Sequence, residues 1–164
     1  RDCLLSRGLG DVYKRQVSRH ADSEVVRRHG AEKIEPEDVA AVADVIINHQ
    51  SADGLPVHYF DEVWFYSLKR RPLFINVGRG ISVDENALCE ALDAGFVSGA
   101  GIDVLENENP DLKNCKLLHR GNVILTPHSA FYSERSMNEL RTQACMNLVN
   151  HMRGETDYAG NRVV

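Results

Sequence analysis

The sequence predicts an α/β fold built on a doubly wound parallel sheet. Three observations carry this: apolar runs of about four residues, helix-patterned stretches between them, and little polar alternation within the runs. Strands buried on both faces read as continuous apolar runs, whereas strands with one wet face alternate. In chain order, Glu35-Pro36-Glu37-Asp38 puts proline at a first helical position with acids in the first turn, so a short helix should run to about Val42. The β-branched run from Asp44 to Asn48 reads as a strand. A short aromatic helix follows from Tyr59 to about Leu68, then a strand over Leu73 to Asn76. Asp84 can cap a helix whose Ala87, Leu88, Ala91 and Leu92 share one face, with Gly95 placed to end it. Further strands are Gly101 to Val104 and Asn122 to Leu125. The last helix, from about Ser133 to Met152, aligns Met137, Leu140, Ala144 and Leu148 in one stripe and stops at Gly154.

Composition narrows the function classes. Of the 164 residues 43% are hydrophobic and 26% charged, enough apolar material for a packed core. No apolar run approaches the roughly 20 residues of a membrane helix, and the start lacks a secretory signal, so a soluble cytoplasmic protein is the expectation. The net charge of -5 argues against a nucleic-acid surface. Cys3, Cys89, Cys115 and Cys145 show no metal or redox spacing, so no metal site is predicted. Residues 1–16, RDCLLSRGLGDVYKRQ, carry four basic and two acidic groups without periodicity, and their ending resembles translated adapter read-through; they read as a non-native leader. A strand is expected at Val17-Ser18. Residues 17–150 then form the folded domain and 151–164 a separate terminal segment.

In doubly wound sheets ligands sit beyond the carboxyl ends of the strands. Those positions hold His49 and Gln50, then Val77-Gly78-Arg79-Gly80, then Asp103 with Glu106 and Glu108, and finally Thr126-Pro127-His128. An Arg, a carboxylate and a His gathered in one crevice can bind an anion, hold an imidazole in one tautomer and pass a proton. Taken singly each has a plainer reading: Arg79 as a surface turn, Glu108 as a solvated acid, His128 as a loop residue, Asp103 as a local turn cap, His49 as a satisfied strand end.

The segment Ile75-Asn-Val-Gly-Arg-Gly-Ile-Ser-Val-Asp84 resembles the INxxRGxxVD motif of the D-isomer-specific 2-hydroxyacid dehydrogenases. Gly99-Ala-Gly-Ile-Asp-Val-Leu-Glu-Asn-Glu108 resembles that family's GAxxDVxxxE, and Asn122-Val-Ile-Leu-Thr-Pro-His128 its NVxxTPH. The three stand in order within residues 43–130. The resemblance places the family's catalytic Arg, Glu and His on Arg79, Glu108 and His128. The spacing, with Ser129-Ala-Phe-Tyr-Ser133, is most similar to the branch of the C-terminal-binding proteins and their bacterial relatives. In two places the chain departs from the family: Asn109 intervenes between Glu108 and Pro110, and Ser51 stands where proline is usual.

What the resemblance implies is a Rossmann-type dinucleotide domain and hydride transfer between NAD or NADP and a small 2-keto or D-2-hydroxy acid. Asp103, Val77, Gly78, Arg79, His128 and His49 would border the cofactor. Ser18 and Arg19 fall where the family reads the adenosine ribose, and Ser-Arg there would suit a 2'-phosphate as well as leave Arg19 simply exposed. A complete site also needs a G-x-G-x-x-G turn between strand and helix. Gly8-Leu9-Gly10 lacks a preceding strand and has Tyr13 at the third glycine, so it reads as a chance match. The family's substrate domain is not represented either, and the tail from Glu155 to Val164 resembles the segment that returns to it. The chain therefore reads as an inactive carboxyl-terminal piece of a dehydrogenase that would be a homodimer when whole. The alternative is a dinucleotide-responsive corepressor-like binding protein on the same fold.

Overall fold

The computed structural model describes residues 13–51, 56–107 and 109–154. These fall into two compact units, one ending at Leu125 and the other beginning at Thr126. In the first unit, strand β1 (Arg15–Gln16), helix α1 (Ser23–Arg28) and strand β2 (Glu32–Lys33) form a small parallel pair. A 3-10 turn at Pro36–Asp38 leads into α2 (Val39–Val42). There follow β3 (Val45–Asn48), α3 (Glu62–Ser67), β4 (Leu73–Asn76), α4 (Glu85–Asp93), β5 (Gly99–Ile102) and β6 (Val123–Leu125). The last four strands form one sheet in the order β3-β4-β5-β6, every pair parallel. The register aligns Asn48 with Asn76 and Asn76 with Ile102, so the segments that follow these strands leave from one edge.

Local chemistry sets the helix boundaries. Asp61 accepts from the Trp64 amide at the start of α3, and Asp84 accepts from the Asn86 and Ala87 amides at the start of α4. Each cap satisfies donors that a helix leaves orphaned. Gly95, just beyond α4, has φ +77°, the left-handed conformation that closes a helix without a Cβ penalty.

The structure departs from the sequence reading in several places. The first strand is Arg15–Gln16 rather than Val17-Ser18, so it lies within the segment that reads as a leader; its pairing with Glu32–Lys33 is made by backbone groups and an Arg15 to Glu32 ion pair at 3.2 Å, neither of which needs an apolar run. The helix α1 buries only Val26, too little for a helical stripe to show. The third strand of the large sheet starts two residues earlier than expected, because its first residues, Gly99 and Ala100, hide a strand from any count of β-branched side chains. Among the described residues between β5 and β6 there is no α-helix, so strands and helices do not alternate there. That connection is held by the fully buried Leu117 and by Arg120, whose guanidinium bridges both carboxylate oxygens of Asp93 at 2.6 and 3.0 Å.

The core lies on one face of the large sheet, where Phe74, Ala100 and Ile102 pack with Phe65 of α3 and with Leu88, Ala91 and Leu92 of α4. The aromatic rings on this face bury one another. Phe60, Phe65 and Trp64 stand edge-on to Phe74 at centroid distances of 5.2, 5.2 and 6.0 Å, the favoured geometry for ring quadrupoles. On the opposite face Val45, Ile47, Leu73 and Ile124 are exposed. Cover on both faces, the expectation for parallel strands, is thus met on one.

In the second unit α5 (Glu134–Met152) opens with a capping box in which Ser133 and Ser136 each bond the other's backbone amide. Gly154, φ +76°, follows its end. No residue of α5 is buried, and Leu140 and Leu148 of the expected stripe are exposed. The tail from Glu155 onward lies outside the described residues, as do Gly8-Leu9-Gly10.

Candidate active site

The carboxyl edge of the large sheet is organised around two asparagines that each end an apolar strand. Asn48 and Asn76 are buried side by side, and Asn48 Nδ2 donates to Asn76 Oδ1 at 2.9 Å and to Ser82 Oγ at 3.0 Å. Asn48 Oδ1 accepts from the Gln50 amide at 3.0 Å, so all three bonds of this side chain serve the edge. Asn76 Oδ1 also accepts from the Gly78 amide at 3.2 Å, while its Nδ2 donates to the Arg79 carbonyl at 3.1 Å. Ser82 Oγ donates to the same carbonyl at 2.6 Å. Buried amides with every group paired are rigid, because each alternative conformation strands a polar atom.

Arg79 therefore has an anchored backbone and an exposed side chain. Its Nη1 folds back to donate to the Gly78 carbonyl at 3.0 Å. The flanking glycines are required by close approach. A Cβ on Gly78 would stand 2.7 Å from the Gln50 carbonyl oxygen, and one on Gly80 only 1.8 Å from the Leu105 carbonyl oxygen. The turn bearing Arg79 is thus wedged between the segments that follow β3 and β5.

Of the residues singled out from sequence, Val77, Gly78, Arg79 and Asp103 come together at this edge, joined through the Val77 amide to the Asn48 carbonyl at 3.1 Å and the Asp103 amide to the Asn76 carbonyl at 2.9 Å. Asp103 is buried. His49 follows Asn48 directly and is exposed. Ser18 and Arg19 follow β1 in the separate two-stranded sheet; Ser18 Oγ accepts from the Ala21 amide at 3.1 Å and Arg19 is exposed. Glu108 lies outside the described residues. His128 belongs to the second unit, where it adopts the left-handed conformation at φ +50°, its amide donates to the Thr126 carbonyl at 3.0 Å, and its ring stands edge-on to Phe131 at 5.7 Å. A non-glycine residue held at positive φ carries a steric cost.

Sequence reasoning missed Asn48, Asn76 and Ser82. The one signal was that two apolar runs, Val-Ile-Ile and Leu-Phe-Ile, both end in Asn. It also missed His58, whose Nε2 donates to Glu106 Oε1 at 2.7 Å. Hydrogen bonding to Glu106, with the charges of Glu106, Asp84 and Asp61 nearby, raises the His58 pKa above its ordinary value against an opposing effect of burial.

A residue set of this kind suits a nicotinamide dinucleotide. It offers an exposed guanidinium, a buried Asp and the exposed His49 imidazole, and beside Gly78 the buried Gln50 Oε1 is an acceptor with no hydrogen-bond partner among the described residues. Among the described residues no group of His, Cys, Asp and Glu could hold a metal ion. A parallel sheet with an anchored Arg at its carboxyl edge is the framework of an α/β dinucleotide-binding domain. More particularly, the chain belongs to the D-isomer specific 2-hydroxyacid dehydrogenase family, residues 11–130 matching its NAD-binding domain. A glyoxylate reductase of Pyrococcus horikoshii is 35% identical over 141 residues, covering 84% of this chain and 41% of that protein. A D-lactate dehydrogenase of Streptococcus agalactiae is 32% identical over 128 residues, 69% of this chain and 39% of its own. The crystal structure of D-lactate dehydrogenase from Aquifex aeolicus, complexed with NAD and lactic acid, superposes with a TM-score of 0.79 at 25% identity, covering 92% of this chain and 49% of that one. The chain thus spans about two fifths of the length of these curated relatives.

Proposed function

We propose that this chain is the carboxyl-terminal part of an oxidoreductase that interconverts a 2-keto acid and a D-2-hydroxy acid with NAD(P), and that alone it is inactive. The observation that carries the reading is the Arg79 turn: an exposed arginine on a backbone locked by Asn48, Asn76 and Ser82, in a chain of this family. Arg79 would clamp the substrate carboxylate, a task suited to a planar and permanently charged fork. His128 would give its proton to the developing alkoxide in reduction and recover it in oxidation, with Glu108 accepting from the other ring nitrogen and favouring the imidazolium. Asp103, Val77, Gly78 and His49 would border the nicotinamide half of the cofactor, and Ser18 with Arg19 the adenosine ribose, where Arg19 would pair with the 2'-phosphate of NADP. The cofactor itself supplies the hydride.

Homodimerisation of the longer protein and a cytoplasmic location belong to the same proposal; among the described residues no helix is long and apolar enough to cross a membrane. The relatives reported above are named as a reductase and a dehydrogenase, which favours an enzyme over a corepressor-like protein and gives the C-terminal-binding-protein branch no particular support. The test is to recover the gene upstream of residue 11, where the family match begins, and assay NADH and NADPH oxidation with glyoxylate, pyruvate and hydroxypyruvate. The longer protein should turn over at least one of them and this chain none, since cofactor and keto acid must be held together and proximity is worth about 7 kcal/mol or more of barrier. Robust turnover by the 164-residue chain, or none by the longer protein, would refute the proposal.

A further inference from the structure

Outside the asparagine cluster, one residue ties three separate segments together. His58 lies between β3 and α3, its amide donates to the Ile81 carbonyl at 3.0 Å, and its ring donates to Glu106, beyond β5, at 2.7 Å. Its other ring nitrogen is 3.9 Å from Asp84 Oδ2. Glu106 is fixed a second time, by its amide donating to Glu85 Oε1 at 2.6 Å. Like His128, His58 is held at positive φ, +54°. The segment so pinned, Leu105-Glu106, is the backbone on which Gly80 rests, and Gly80 adjoins Arg79.

From these contacts we infer that His58 is a positioning residue: in its protonated form it holds Glu106, keeps Leu105-Glu106 seated on Gly80, and so fixes the turn that aims Arg79. The inference rests on the reading of Arg79 as the carboxylate anchor. Among the described residues, Glu106, Asp84 and Asp61 are the charged groups that act on the His58 ring, and all three favour its charged form. The sign follows from linkage. The folded-state pKa is raised, so the added hold is complete below the unfolded value of about 6.5 and is lost as pH rises through the folded value.

The test has two arms. In the 164-residue chain, NMR titration should show the Arg79, Gly80 and Leu105 amides shifting with the same midpoint as the His58 ring, above about 6.5, and the shift should vanish in Glu106→Gln. In the longer protein, KM for the keto acid should rise several-fold across that pH range. His58→Gln should have the high KM at every pH, and His58→Lys, whose charge persists to about pH 10, should keep KM low across the range. Amides that ignore the His58 titration overturn the inference, as does a KM that rises equally in His58→Lys. If the amides titrate with His58 but the longer protein reduces no 2-keto acid, the coupling stands and the dehydrogenase reading is what fails.

Discussion

Phe74 and Leu73 are neighbours on β4 and point to opposite faces of the same sheet. Phe74 is fully buried against Phe60, Trp64 and Phe65, whereas Leu73 is 47% exposed, together with Val45, Ile47 and Ile124. The difference comes from topology rather than side-chain type. With strands in the monotonic order β3-β4-β5-β6, right-handed crossovers deliver every connecting helix to the same side. The second face is covered only by a half of the sheet wound the other way. The face that carries α3 and α4, and the carboxyl edge beside it, are therefore finished by short-range connections, while the other face presents β-branched residues that connections within β3 to β6 do not reach.

Truncation on either face separates the two most strongly. Phe74→Ala should lower stability by about 3 to 5 kcal/mol, whereas Leu73→Ala should cost less than about 1 kcal/mol, read as midpoints of urea unfolding. Equal losses would mean that both faces are packed. A smaller contrast lies between two glycines. Gly80→Ala puts a methyl onto the Leu105 backbone and should cost about 1 to 3 kcal/mol or more, while Gly121→Ala, with nothing within 4 Å, should be near neutral. The smallest effect on stability belongs to Ile124→Lys, whose site is 70% exposed. It should leave the unfolding midpoint almost unchanged and instead reduce self-association in sedimentation velocity, because a contiguous apolar face invites contact between copies. A monodisperse monomer at micromolar concentration before the substitution would show that this face is already covered.

The same contrast explains what was legible in the sequence. Strand β4 and helix α4 could be read because their signals are local: three apolar residues closed by Asn76, and Asp84 and Gly95 bracketing one apolar face. Arg79, Asp103 and His128 were legible as residues that follow strands. Asn48 and Ser82 were not, because their roles depend on pairing across strands, Asn48 meeting Asn76 from 28 residues away and Ser82 from 34. His58 was hidden for the same reason, its partner Glu106 lying 48 residues on. The two-residue polar strands β1 and β2 carry no side-chain signal, since their pairing is made by the backbone.

The central claim is that Arg79, held by this edge, anchors a carboxylate. The direct measurement is kcat/KM of the longer protein for pyruvate against acetaldehyde, which lacks only the carboxylate, with and without Arg79→Ala. Charge-assisted bonds are worth about 1.5 to 3 kcal/mol each, so the protein should prefer pyruvate by at least roughly tenfold, and Arg79→Ala should abolish most of that preference by slowing pyruvate alone. A preference that survives Arg79→Ala, with both substrates slowed alike, would contradict the claim.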